Sequence, residues 1–255
     1  MNFEVEEATG VMLKFMRKKE PLRSDLWAYL DHGDGASDGL DLQHPLLHVA
    51  GVKMEGAAWI NYLVQTAEEA AEKALAEERW LDYVLLHEPP YRVAVFAKLA
   101  KKLPDAVYWK SLGEIYMYTE NIWQRKRQLA RLFASDRPDR KQLMSAYERR
   151  YLASLPNRLT IFRGSLSMRA QGWSWTLDEK KALGFAKRLE RLGVGIPRVA
   201  TGKAKKSDVI AYFSRRKEKE IVIDPSKVKI VQIVSRGRKI TSAFCVRYPL
   251  RARAV

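Results

Sequence analysis

Three short segments in the last hundred residues carry side chains capable of chemistry. Thr160-Ile161-Phe162-Arg163-Gly164 ends an apolar run in an arginine followed by glycine. An arginine offers a planar fork of N–H donors that suits a pyrophosphate, and a glycine beside it lets a ligand approach the backbone. Gly172-Trp173-Ser174-Trp175-Thr176 then supplies two hydroxyls. On an extended segment Ser174 and Thr176 share one face, while Trp173 and Trp175 share the other, which reads as core. Finally, Ser214-Arg215-Arg216-Lys217-Glu218-Lys219-Glu220 runs from a basic turn into the apolar Ile221-Val222-Ile223. Glu218 and Glu220 are two apart and are expected on one face of an extended segment. Carboxylates held this way can stabilise a developing positive charge or accept a proton.

In this order and spacing the segments resemble the R-S-E class, the arginine-type mono-ADP-ribosyltransferases, toxin-like in character. That class has a strand arginine, an aromatic-Ser-x-Ser/Thr segment before a helix, and a Glu-x-Glu beginning a late strand. The resemblance covers about Leu159–Val234, under a third of the chain. It implies a split two-sheet, β-rich catalytic domain that uses NAD⁺ as a substrate and needs no metal. By the same resemblance Arg163 and Gly164 meet the pyrophosphate, while Ser174 holds the catalytic glutamate and the nicotinamide ribose. Thr176 keeps the hydroxyl of the third position. Glu220 grips the ribose 2′-hydroxyl as the essential carboxylate, and Glu218 orients or deprotonates the acceptor. Breaking the N-glycosidic bond passes through an oxocarbenium-like species, which a nearby carboxylate stabilises. One departure is Trp175-Thr176 where the commonest pattern has Thr-Ser, which puts a bulky ring near the nicotinamide.

The elements that must position these residues follow from a change of period along the chain. The first 150 or so residues read as helical. Thr66–Tyr83 is rich in Ala, Glu and Leu, and Thr66 with Glu69 matches a capping box. Tyr91–Leu103 follows a Pro-Pro break, Pro104-Asp105 opens a stretch through Ser111–Phe133, and Asp139–Leu152 reads as a short helix. After that come short β-branched or aromatic runs at Leu159–Phe162, Val209–Phe213, Glu220–Ile223, Val228–Val234 and Ala243–Tyr248. Asp178–Leu192 stands among them as an amphipathic helix, with Leu177, Ala182, Phe185, Ala186 and Leu189 on its stripe. The expected fold is therefore α+β: a helical N-terminal region over 1–152, followed by the catalytic domain over 153–255.

Charge separates the two parts as sharply as period does. Residues 1–180 hold 26 Lys and Arg against 25 Asp and Glu, while residues 181–255 hold 20 against 5. A dinucleotide needs far less positive charge than this, so a polyanion is the expected partner. The basic turn Arg215-Arg216-Lys217 is the expected acceptor-binding element, with Lys203, Lys205 and Lys206 as neighbours. Nucleic acid, RNA above all, is favoured as acceptor. A glutamate at position 218 also resembles the pattern of members that modify protein arginine, and a non-enzymatic nucleic-acid-binding protein is the rival class. By analogy with its class, such an enzyme suits an intracellular toxin of a toxin–antitoxin or anti-phage system, with an antitoxin protein as partner.

The remaining features point to structure. The chain lacks an apolar run near the ~18–20 residues of a membrane span, and its acidic start is unlike a secretion signal. With Cys245 as the sole cysteine, a reducing, cytoplasmic setting is expected and Cys245 reads as a small core residue. Of His32, His44, His48 and His87 only His44 and His48 stand at i, i+4, and that pair is interrupted by Pro45 and lacks a carboxylate partner, so all four read as structural. The Asp-rich segment Asp31–Asp41 misses the order of a calcium loop and reads as an acidic loop. Asn121 is a weaker candidate for reaching the cleft, Trp123 reads as core, and Gly193-Val194-Gly195 reads as a plain loop.

Overall fold

The computed structural model describes residues 10–11, 13–15, 17–31, 40–119, 122–166, 168, 170–191, 196–235 and 238–241. His32, most of the Asp-rich segment, Asn121, the side chain of Trp123, the Gly193–Gly195 loop and the run containing Cys245 lie outside them. The chain divides into two compact units, Met1–Arg140 and Lys141–Val255.

The first unit is mainly helical: α1 (Ala57–Ala76), α2 (Trp80–Leu86), α3 (Pro89–Leu99), α4 (Asp105–Tyr118) and α5 (Lys126–Phe133). Sequence reading placed a helix start at Thr66, but α1 begins nine residues earlier. The Thr66 hydroxyl donates to the Tyr62 carbonyl one turn back, so it caps nothing. The helix ends at Ala76, and Glu78 just beyond it has a left-handed φ of 54°. The Pro-Pro pair opens α3 rather than preceding it, because proline lacks only an N–H that a first turn leaves unused. A small antiparallel sheet was not expected here. It orders β1 (Leu30–Asp31), β2 (Leu40–His44) and β3 (Leu47–Val52) in sequence, with Leu42 and His44 turned inward. His44 and His87 are both buried in this unit and contact backbone: His44 accepts from the Leu46 N–H, and His87 Nδ1 lies 2.8 Å from the Tyr83 carbonyl. Burial pushes both imidazoles below their usual value.

The second unit carries the strands β4 (Arg158–Ser165), β5 (Ser174–Thr176), β6 (Arg198–Lys205), β7 (Val209–Phe213), β8 (Glu220–Ile223), β9 (Lys229–Ser235) and β10 (Arg238–Thr241). Its helices are α6 (Ala146–Ser154) and α7 (Glu179–Arg191). The strands form one antiparallel sheet in the order β10-β9-β6-β4-β5-β8-β7. A single hydrogen-bonded order thus replaces the two separate sheets expected, yet the joint at its centre is slight. Strands β4 and β6 pair over eight residues, whereas β4 and β5 share the one pair Phe162↔Thr176.

One face of this sheet makes the core. Leu159, Ile161, Trp175, Ala204, Tyr212, Ile221 and Ile223 pack together, with Tyr151 of α6 stacked on Tyr212 at 4.5 Å. That contact explains why α6, read from sequence as part of the N-terminal region, belongs with the sheet. Trp175 fits because Gly202 leaves it room: a Cβ there would press on its ring and on Val228. Its indole N–H donates to the Gly172 carbonyl, which satisfies the buried polar atom. On the other face α7 lies close against β4. A Cβ on Gly164 would collide with the backbone of α7 at Ala182 and Ala186. Gly164 is therefore a helix-packing glycine, and the expected reason, ligand approach, is not needed to explain it.

Candidate functional site

The cleft opens where β4 and β5 stop pairing. Past Phe162↔Thr176 the side chain of Arg163 takes over, its Nη1 donating to the Ser174 carbonyl at 2.5 Å. The guanidinium lies over Gly172, where a Cβ would overlap it. The glycine before the Trp-Ser-Trp-Thr run thus makes room for the arginine of the previous strand. Both residues were singled out from sequence, but their contact was not foreseen.

Strand β5 carries the arrangement onward to the carboxylates. Ser174 pairs with Val222 and Thr176 with Glu220, which sets Glu220 beside Thr176 at the cleft. Glu218 arrives there by a different route. It precedes β8, and its neighbours Lys217 and Lys219 have φ of 56° and 48°. Two left-handed residues break the strand alternation, so the shared face expected for Glu218 and Glu220 does not come from strand geometry. Instead the backbone loops: Lys217 N–H donates to the Ser214 carbonyl and Leu177 N–H to the Lys219 carbonyl. Non-glycine residues at such angles persist only where surrounding contacts enforce them.

Thr176 supplies one of those contacts. Its hydroxyl donates to the Glu218 carbonyl at 2.6 Å and accepts from the Asp178 N–H at 3.0 Å. Expected as a cofactor-binding residue, Thr176 is buried with its one donor committed to main chain. Its observed part is to hold the Glu218 segment against β5.

A cavity of about 250 Å³ gathers these groups. Arg163, Gly164, Ser174, Thr176, Glu218 and Glu220 all line it, together with Phe162, Trp175, Phe185 and Arg188. It offers two arginines, two hydroxyl residues and two carboxylates between aromatic walls. A larger cleft of about 440 Å³ runs along α7 and contains no residue of the three segments. Arg215, Arg216 and Lys217 do not line the cavity; they stand exposed on the connection that leads into it. Lys206, grouped with them from sequence, is used elsewhere: its ammonium caps the end of α6 by donating to the Ala153 and Leu155 carbonyls.

Comparison with protein-family models, curated proteins and solved structures returned no match. The site rests on its own geometry.

Sequence reading passed over two supports. Arg188, on α7, lies with its guanidinium 5.1 Å from the Phe185 ring centre, which sets a cation at the cleft wall. More consequential is Glu148, which is fully buried. It closes a capping box with Ser145 and also accepts the Ser214 N–H. Burial alone would raise its pKa, but donors from Ser214 and Ser145 and the charge of Arg215 bring it below the ordinary value. The Ser145-x-x-Glu148 spacing was available as a signal for the cap; its second use, on Ser214, was not.

Among the described residues no helix is long and apolar enough to cross a membrane, and no group of three or more His, Cys, Asp or Glu is placed to hold a metal.

Proposed function

We propose that the chain is an NAD⁺-dependent mono-ADP-ribosyltransferase that modifies a macromolecule, with nucleic acid, RNA in particular, as the acceptor. The observation that carries this reading is the convergence of Arg163, Ser174, Glu218 and Glu220 on one cavity from three separate segments. Phosphate chemistry suits Arg163, whose guanidinium is oriented by Ser174 O and backed by Gly172. Glu220 serves as the carboxylate beside the ribose. As the bond from C1′ to nicotinamide breaks, the electron pair leaves with nicotinamide and positive charge grows on the sugar, which a fixed carboxylate stabilises. The acceptor's nucleophile then bonds to C1′, and Glu218 takes its proton.

The charge of residues 181–255 and the exposed Arg215-Arg216-Lys217 connection favour a phosphate-rich acceptor over protein arginine. An enzyme of this kind suits an intracellular toxin restrained by an antitoxin protein.

The deciding experiment is nicotinamide release by the purified chain, with labelled NAD⁺ offered alongside total RNA, DNA and protein. Release together with nuclease-sensitive label supports the reading. Label on protein alone transfers it to protein arginine. No release at all leaves a nucleic-acid-binding protein without this chemistry.

A further inference from the structure

The far half of the sheet face that α7 covers carries a ladder of cations. Arg158 stands directly opposite Lys205, Thr160 opposite Lys203, and Lys203 opposite Lys229 of the next strand. All four cations are exposed, whereas the alternating Leu159, Ile161 and Ala204 are buried on the core face. Like charges set opposite each other destabilise a sheet. Among the described residues, none of the four belongs to an ion pair. Lys203 donates instead to the Thr160 hydroxyl at 2.6 Å. A bound polyanion would relieve this repulsion.

The ladder adjoins the cleft. Phe162, two residues beyond Thr160 on β4, lines the cavity. The register Phe162↔Thr176 and Thr176↔Glu220 sets the Ser214–Lys219 connection at the same end of the sheet as Arg158 and Lys205. Three strand spacings, roughly 15 Å, separate β6 from β8 across that end. Cations two residues apart on a strand are about 7 Å apart, a spacing suited to successive phosphates.

We propose that Arg158, Lys203, Lys205 and Lys229 form the docking surface for a nucleic-acid backbone, leading it past the cleft toward Arg215–Lys217. That the bound strand is the acceptor rests on the transferase reading; that it binds does not. An anionic membrane is disfavoured because such binding usually adds apolar anchors. Among the described residues, the large apolar ones exposed in this unit are Tyr147, Met168, Leu183 and Ile196, and none belongs to β4, β6 or β9.

The test is fluorescence anisotropy of labelled oligouridylate with the full chain, without NAD⁺, over a series of salt concentrations. Reversing all four cations (Arg158→Glu, Lys203→Glu, Lys205→Glu, Lys229→Glu) is expected to weaken low-salt binding about a hundredfold or more. It should also flatten the logarithmic salt slope by about three. The corresponding four-Gln variant should shift both in the same direction by less, and circular dichroism checks the fold of each. Wild-type affinity and slope in both variants would overturn the assignment. So would a wild-type chain that binds phosphatidylserine vesicles and not the oligonucleotide. Nicotinamide release is followed in parallel. If wild type releases none yet the variants lose binding, the transferase reading fails and the surface stands; release with unchanged binding has the opposite meaning.

Discussion

The buried carboxylate of Glu148 accepts the main-chain N–H of Ser214 at 3.0 Å, joining positions 66 residues apart. Its other oxygen accepts the N–H and hydroxyl of Ser145 at 2.9 and 2.8 Å. One side chain thus starts α6 and anchors the connection that carries Glu218 and leads into Glu220. Glu148→Ala strands the Ser214 and Ser145 N–H groups, and hydrogen bonds to a charged group contribute about 1.5–3 kcal/mol each. Chemical denaturation should report a loss of roughly 3–5 kcal/mol. A loss under 1 kcal/mol would show that solvent replaces the carboxylate.

The same group makes stability depend on acid. Its native pKa lies below the ordinary 4.5, so its stabilisation is complete above that value and is lost as pH falls through the lower native value. The stability difference between wild type and Glu148→Gln should therefore be constant from neutrality down to about pH 4.5 and shrink below it. Denaturation midpoints measured across that range check this, and a difference that grows with acid would contradict it.

For Glu220, the near-isosteric Glu220→Gln removes charge while leaving the strand intact. Nicotinamide release should fall about 100–1,000-fold with unchanged circular dichroism. Turnover close to wild type would remove Glu220 from the chemistry.

Glu218 should separate the two halves of the reaction. Glu218→Ala is expected to keep hydrolysis to water within about tenfold and to lower transfer to the acceptor by about a hundredfold or more. Equal loss of both would make it a partner of Glu220 in bond cleavage.

Arg163→Lys preserves the charge but loses the planar fork and the hold on Ser174. We expect the NAD⁺ dissociation constant to rise about tenfold or more in calorimetry. An unchanged constant would confine Arg163 to bridging β4 and β5.

Much of the second unit was legible because its signals are local. Val209–Phe213 and Glu220–Ile223 are apolar runs closed by Ser214 and Asp224, and they form β7 and β8 at those bounds. Helix α7 follows its stripe of Ala182, Phe185 and Ala186. Strand β6 was missed because Arg-Val-Ala-Thr-Gly-Lys-Ala-Lys has little strand character of its own; β4 and β9 impose it from either side. The β2–β3 hairpin was overlooked although Leu40-x-Leu42-x-His44 alternates, because the surrounding helical composition outweighed five residues. At the site, residue types and order could be read in advance, but four contacts could not. Arg163 over Gly172, Gly164 against α7, Thr176 on the Glu218 carbonyl and Glu148 on Ser214 each join separate segments, and pattern alone carries no information about which distant atoms meet.

The connection between β7 and β8 is pinned at both ends: Ser214 by Glu148, and Glu218 by Thr176. Only Arg215, Arg216 and Lys217 lie between the pins. The fold has in this way separated what must stay constant from what can change. On the transferase reading, substitutions at those three positions retune recognition while the carboxylates keep their places, and a lineage of such chains changes targets through nine bases of coding sequence without rebuilding its cleft.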